Sequence, residues 1–298
     1  MIAKTWTGIL IGVLVLVGGA NGQAADKTDQ GPTLSEQQWQ MGFTPSYSSG
    51  NFGTDVTSSF LYVPFSVKRI FRDGDVTVVV PFVSVTSNGA ATLIGGQPTQ
   101  TIPGTCLKES GTVIDTSKPE CLVFLNRGSG ATNQKVTNSG LGDIILRGRY
   151  YFIEEGDWTP LIAVTGRLKI PTASASQGLG TGAFDYGAGV EVSKMLGESW
   201  IAFLDGGYNV IGDPDGINFQ NQHWYDVGAG YYVTKALLVS AYYEEYRAIA
   251  RGFVNARDVF IATNYTASQA WRFSGGVTVG LSDGAPDYAL TVGASYRF

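Results

Sequence analysis

Residues 280–298 read GLSDGAPDYALTVGASYRF, and the sequence stops on that phenylalanine. Counting back in twos from Phe298 gives Tyr296, Ala294, Val292, Leu290 and Tyr288, while the residues between are Arg297, Ser295, Gly293, Thr291 and Ala289. A period of two marks a strand with one apolar face and one polar or small face. The apolar face needs a partner, either a protein core or a lipid bilayer.

Composition narrows the choice. Among 298 residues there are 40 Gly, 15 Tyr and 15 Phe, and only 15% are charged. Glycine and aromatic residues in such quantity favour strands and turns over helices. The formal net charge of −5 leaves no basic excess, which excludes nucleic acid as a partner.

The first residues, MIAKTWTGILIGVLVLVGGANGQAAD, place Lys4 before an apolar run and then small residues. That is the order of a secretory signal peptide, expected over 1–24 with cleavage after Gly22 or Ala24, and the apolar run is too short for a comfortable membrane-spanning helix. A polar segment, 25–37, follows and is expected in the periplasm. Cys106 and Cys121 share one polar stretch without histidine, so in an oxidising compartment they are expected to form a disulfide stapling a loop.

From Trp39 onward one theme repeats. Twelve strand-like runs fall near 38–47, 57–71, 75–88, 141–153, 159–171, 185–195, 200–211, 223–234, 237–248, 257–267, 271–282 and 287–298. Short links such as RDGD (72–75), LGES (196–199) and VTKA (233–236) alternate with longer ones, the longest covering 89–140. Turns at one end and loops at the other predict an all-β fold: a transmembrane antiparallel up-and-down β-barrel of about 12 strands over 38–298.

The charges gather on one face of strand after strand. On the expected inner face lie Arg147 and Arg149, Arg167 and Lys169, then Asp185 and Glu191, Asp205, Asp226 and Glu244, and finally Arg272 and Arg297. Basic strands form one arc and acidic strands the next. With water between them, such arcs set up a transverse field that orders dipolar solutes and selects by charge; alternatively, Arg167, Glu191 and their neighbours form an ion network that plugs a narrow interior. About twelve strands lie between side-chain-filled and wide aqueous barrels, so geometry leaves both open. Tyr232, Tyr242, Tyr246 and Phe260 also face inward, lining a path or filling space. The third run, DVTVVVPFVSV (75–85), is apolar on both faces, so something is expected to cover its inner side: the N-terminal segment, or the long loop folding in as a constriction.

An enzyme is not expected. The only histidine, His223, lies at a strand edge with Asp226 on the opposite face and no serine nearby in sequence. GLGTG (178–182) has no following helix and reads as a flexible turn. No metal or cofactor is implied.

The terminal strand, with Tyr296 and Phe298 on its apolar face, resembles the C-terminal assembly signal of bacterial outer-membrane barrels, and that resemblance implies the insertion machinery as a partner. GLGDIILRGRYYF (140–152), DWTPLIAVTGRLKIPT (157–172), GLGTGAFDYGAGVEVSK (178–194) and GLSDGAPDYALTVGASYRF (280–298) are similar to segments of the outer-membrane transporters grouped under the MetA pathway of phenol degradation. This resemblance implies a barrel in outer-membrane lipid and a role in passing small organic solutes, including aromatic ones. The competing expectation is a closed structural or adhesion barrel whose stapled outer loop binds a partner.

Overall fold

The computed structural model describes residues 39–298 apart from 54–55, 88–90, 95–96, 101–105, 108–112, 115–134 and 215–217. The expected signal peptide, the 25–37 segment and Cys121, and with it the expected disulfide, lie outside the described residues. The described chain has β1 (Trp39–Phe43), β2 (Ser46–Gly50), β3 (Ser58–Phe71), β4 (Gly74–Ser87), β5 (Ala91–Ile94), β6 (Gln97–Gln100), β7 (Cys106–Leu107), β8 (Val113–Ile114) and β9 (Val136–Leu141). It continues with β10 (Ile144–Ile153), β11 (Leu161–Ile170), β12 (Asp185–Leu196), β13 (Trp200–Val210), β14 (Gln222–Thr234), β15 (Leu237–Tyr246), β16 (Ala256–Thr266), β17 (Trp271–Gly280) and β18 (Tyr288–Arg297).

All but β5–β8 belong to one antiparallel sheet that closes on itself. β1 and β2 pair with the same two neighbours, β3 and β18, and β9 and β10 both pair with β4, so fourteen segments make twelve staves. Closure is completed by a reciprocal pair of bonds: Trp39 N–H donates to the Phe298 carbonyl and Phe298 N–H to that of Trp39, each at 2.9 Å.

The two interruptions have one cause. Thr44–Pro45 breaks the first stave, Pro64 faces Pro81 across β3 and β4, and Gly142 N–H donates to the Pro81 carbonyl at 2.8 Å beside the break in the fourth stave. Proline has no N–H for the ladder, so three prolines in adjacent staves leave a seam of missing bonds. Gly142 is required there, since a Cβ would meet Pro81 Cγ and Val83 Cγ1 at 2.9 Å.

The fourth stave begins earlier than its sequence pattern suggests. Val136–Leu141 pairs with Ser87–Phe82 of β4, although VTNSGL has no apolar alternation. Pairing is imposed by the long partner strand, whose backbone groups must be satisfied at that height.

Outward side chains form a band with an aromatic girdle at each end. Val67, Val78, Leu146, Val164, Leu204, Val227, Ile261, Val277 and Leu290 occupy the middle and are exposed. At the short-turn end lie Trp39, Trp200, Tyr231, Trp271, Tyr296 and Phe298, with ring centroids 5.0 Å apart for both Trp200–Tyr231 and Trp271–Tyr296. At the loop end lie Tyr47, Tyr186, Tyr208, Tyr225, Tyr243 and Tyr288. Every outward tryptophan among the described residues, Trp158 in the 154–160 turn included, is at the turn end. An apolar band between aromatic girdles is the surface of a barrel in lipid, and strands of ten to fourteen residues are long enough to cross it.

Inside, glycines make room for rings. A Cβ at Gly207 would lie 2.7 Å from Trp224 Cζ2, and one at Gly276 2.5 Å from Phe260 Cε2. Gly207→Val, a gain by strand propensity alone, should therefore displace Trp224 and cost about 1–3 kcal/mol by overpacking. The check is urea unfolding of the folded barrel followed by tryptophan emission; an unchanged midpoint and spectrum would refute the packing assignment.

The barrel interior as a candidate functional site

Strand parity and ladder register place the interior charges in two rows. On β12–β16, Glu191 pairs with Asp205, Asp205 with Asp226, Asp226 with Glu244 and Glu244 with Asp258, a continuous cross-strand ladder of inward carboxylates. On the opposite wall, Arg297 pairs with Gln40, Gln40 with Lys68, Lys68 with Thr77, Thr77 with Arg147 and Arg147 with Arg167. Arg272 extends the basic side on β17, beside Ser295. Barrel strands tilt, so each row climbs as it crosses the staves: the acidic row rises from mid-strand on β12 to the loop end of β16.

All eleven expected charged residues face the interior, and all but Arg149 and Arg167 are buried as whole residues; the Arg149 side chain is itself only 7% exposed. The sequence reading missed four that belong with them: Lys68, Asp75, Asp143 and Asp258. Asp258 was within reach, because it has the parity of Phe260. Trp224 and Phe203 were legible by the same step, each lying two residues before an inward aspartate.

The basic wall is partly neutralised from within. Arg149 grips Glu191 through a hydrogen bond from Nη2 to Oε1 at 2.9 Å and an ion-pair contact of Nε with Oε2 at 2.7 Å, and also approaches Asp75 at 3.5 Å, which Lys68 reaches at 3.7 Å. This bidentate geometry is the strong form of an arginine–carboxylate pair. It crosses β11 because the residues beneath, Ala163 and Thr165, are small. Glu191 thus takes Arg149 where the sequence reading offered Arg167; stagger is the reason, since Arg167 stands opposite Gly187 and Glu191 opposite Ala163.

A second node sits near the loop end. The fully buried Lys169 ammonium meets Asp185 at 2.8 Å and Asp143 at 3.6 Å, and donates to Thr181 Oγ1 at 2.7 Å. Asp143 accepts the Ala173 N–H and Asp185 the Gly212 N–H, each at 3.0 Å. GLGTG is therefore not a loose turn: Thr181 is buried and held by this lysine, and Leu179 is buried in the apolar cluster of Val79, Val83 and Ile145.

The acidic wall differs. Asp205 Oδ1 accepts the Val192 N–H at 3.1 Å, but no donor reaches either carboxylate oxygen of Asp226 or Glu244, both fully buried. Beside them runs an aromatic group, Phe203, Tyr242 and Phe260 with Trp224 stacked on Tyr246 at 6.2 Å and 18°. No cluster of His, Cys, Asp and Glu among the described residues has a metal-holding arrangement. His223 is exposed on the outer face, opposite in parity to Asp226.

The inner face of β4 is covered, as its two-sided apolar pattern requires. Ala91 and Leu93 of the β5–β6 hairpin pack with Phe60, Tyr62, Val79, Val83, Val85 and Ile145. Pro98 and Thr99, at the hairpin's other arm, border a cleft formed by β15, β16 and the 247–255 and 281–287 loops. The hairpin thus lies inside the mouth and spans it.

A closed barrel with an apolar girdled exterior and a charged interior defines a β-barrel protein of the bacterial outer membrane. The chain belongs to the family described as "Putative MetA-pathway of phenol degradation", whose model matches residues 47–298. Among solved structures it is similar to an outer-membrane channel from Pseudomonas putida F1, with a TM-score of 0.61 and 12% identity over 91% of this chain and 100% of the other. A toluene transporter from Ralstonia pickettii matches with a TM-score of 0.40 and 10% identity over 88% and 89%. No curated protein matches the sequence.

Removing one partner from a buried ion cluster strands the others. Lys169→Met should destabilise the barrel by about 3–5 kcal/mol and release the 171–184 loop to protease, measured by urea unfolding and by limited proteolysis. Wild-type stability with an uncut loop would show that the cluster carries neither.

Proposed function

We propose that the protein is a channel that passes small organic solutes, aromatic ones included, across the outer membrane, with the β5–β6 hairpin as its constriction. The observation that carries this reading is the acidic wall of Asp226, Glu244 and Asp258, with which no lysine or arginine among the described residues forms an ion pair, facing a wall that bears Arg147, Arg167, Arg272 and Arg297. A purely structural interior gains nothing from buried carboxylates without donors, which cost free energy in every folded molecule. Opposed charge is useful where solutes cross the field between the walls. The family's phenol-degradation description and the channel from Pseudomonas putida F1 support the same reading.

The test is single-channel current from the refolded protein in a planar bilayer. Discrete steps are expected, with a severalfold larger conductance after deletion of residues 91–100. Arg147→Gln with Arg167→Gln should move the reversal potential in a salt gradient towards cation selectivity, because the basic wall loses charge and the acidic wall does not. A folded barrel silent with and without the hairpin would overturn the channel and favour a closed barrel acting through its outer loop.

A further inference from the structure

The cleft beneath the hairpin has a chemistry that the channel reading leaves unspecified. It measures 680 Å³, its open side included, and its walls are largely apolar: Pro98, Ile249, Phe253, Val254 and Pro286. Its floor is acidic. Asp258, 8% exposed, is the carboxylate that an incoming molecule meets, and Glu244 lies against it with Asp226 next along the ladder. Tyr246, 6% exposed, also lines the cleft, and its buried hydroxyl has no hydrogen-bond partner. Among the described residues Arg247 is the only cation in the lining, and its guanidinium is engaged elsewhere: Nη2 donates to Gln220 Oε1 at 2.7 Å and Nη1 to the Asn221 carbonyl at 3.3 Å.

We infer that this cleft is a binding site for small organic cations, primary ammonium ions carrying an apolar or aromatic body. A neutral aromatic molecule would satisfy the walls and leave the floor uncompensated, deeper from water than before. A bare metal ion would meet no adequate ligand set, since the described residues offer none. An ammonium group on an apolar body satisfies both: N–H donors and charge for Asp258 and the carboxylates behind it, the Tyr246 ring as a cation–π partner, and apolar surface for the rest. The site lies at the loop end of the channel proposed above, so as a solute-selecting site it rests on that reading. Binding itself does not require passage.

The test is isothermal titration calorimetry of the full-length protein in detergent micelles with 2-phenylethylammonium chloride and its neutral counterpart 2-phenylethanol, with empty micelles subtracted. The ammonium is expected to bind at least tenfold more tightly, and Glu244→Gln with Asp258→Asn should abolish that preference, the ammonium losing affinity while the alcohol, no longer burying bare carboxylates, binds as tightly or more tightly. Should the double variant not fold, Asp258→Asn alone makes the same comparison at the exposed end of the floor. Equal binding of the two probes, binding of neither, or a preference that survives the substitutions would overturn the inference. Bilayer current from the same preparation separates the two ideas. Preference without current upholds the site and sinks the channel; current without preference does the reverse.

Discussion

The pairing of β18 with β1 and β2, ended by the reciprocal hydrogen bonds between Trp39 and Phe298, is the constraint on which the barrel depends. In hydrocarbon no water satisfies an N–H or C=O, so a sheet there has no tolerable edge and must return to its first strand. Twelve staves closed in this way fix the tilt, and tilt fixes which residues of neighbouring strands share a level. The acidic ladder on β12–β16 and the basic row opposite follow from that arithmetic. Neither is a cluster in sequence; both are products of closure.

Closure also explains where local rules are broken. Pro45, Pro64 and Pro81 interrupt the ladder in adjacent staves, a choice that central strands normally avoid. On the inner side of the same wall lies the apolar cluster of Tyr62, Val79, Val83 and Ile145 covered by Leu93. Packing from within thus supports a wall whose backbone pairing is incomplete. The opposite wall keeps its hydrogen bonds and holds the unpaired carboxylates.

Much of this was legible from alternation alone. The position of each stave and the inward face of Arg147, Glu191, Asp226 and Glu244 follow from counting in twos, because side-chain direction in a strand is set by parity. What parity cannot supply is distance across staves. That Arg149 reaches over Ala163 to Glu191, and that Lys169 draws Thr181 down from a loop, depends on stagger and on small intervening residues. The early start at Val136 was hidden because VTNSGL carries no apolar signal and pairs only because β4 demands a partner. The in-folded hairpin was half visible: valines on both faces of β4 required a cover, but nothing in the pattern identified which segment supplied it.

The confinement of outward tryptophans to the turn end, with tyrosines predominating at the loop end, gives the barrel a polarity independent of its loops among the described residues. Indole donates one hydrogen bond and otherwise prefers the boundary of acyl chains; a phenol donates and accepts. The two rims therefore suit different leaflets, one of ordinary phospholipid and one crowded with sugar and phosphate oxygens. Both rims are joined by inextensible strands, so the barrel has one seating depth and one orientation. The mouth cleft is accordingly held at a set height above the lipid-facing band, with the charged walls below it.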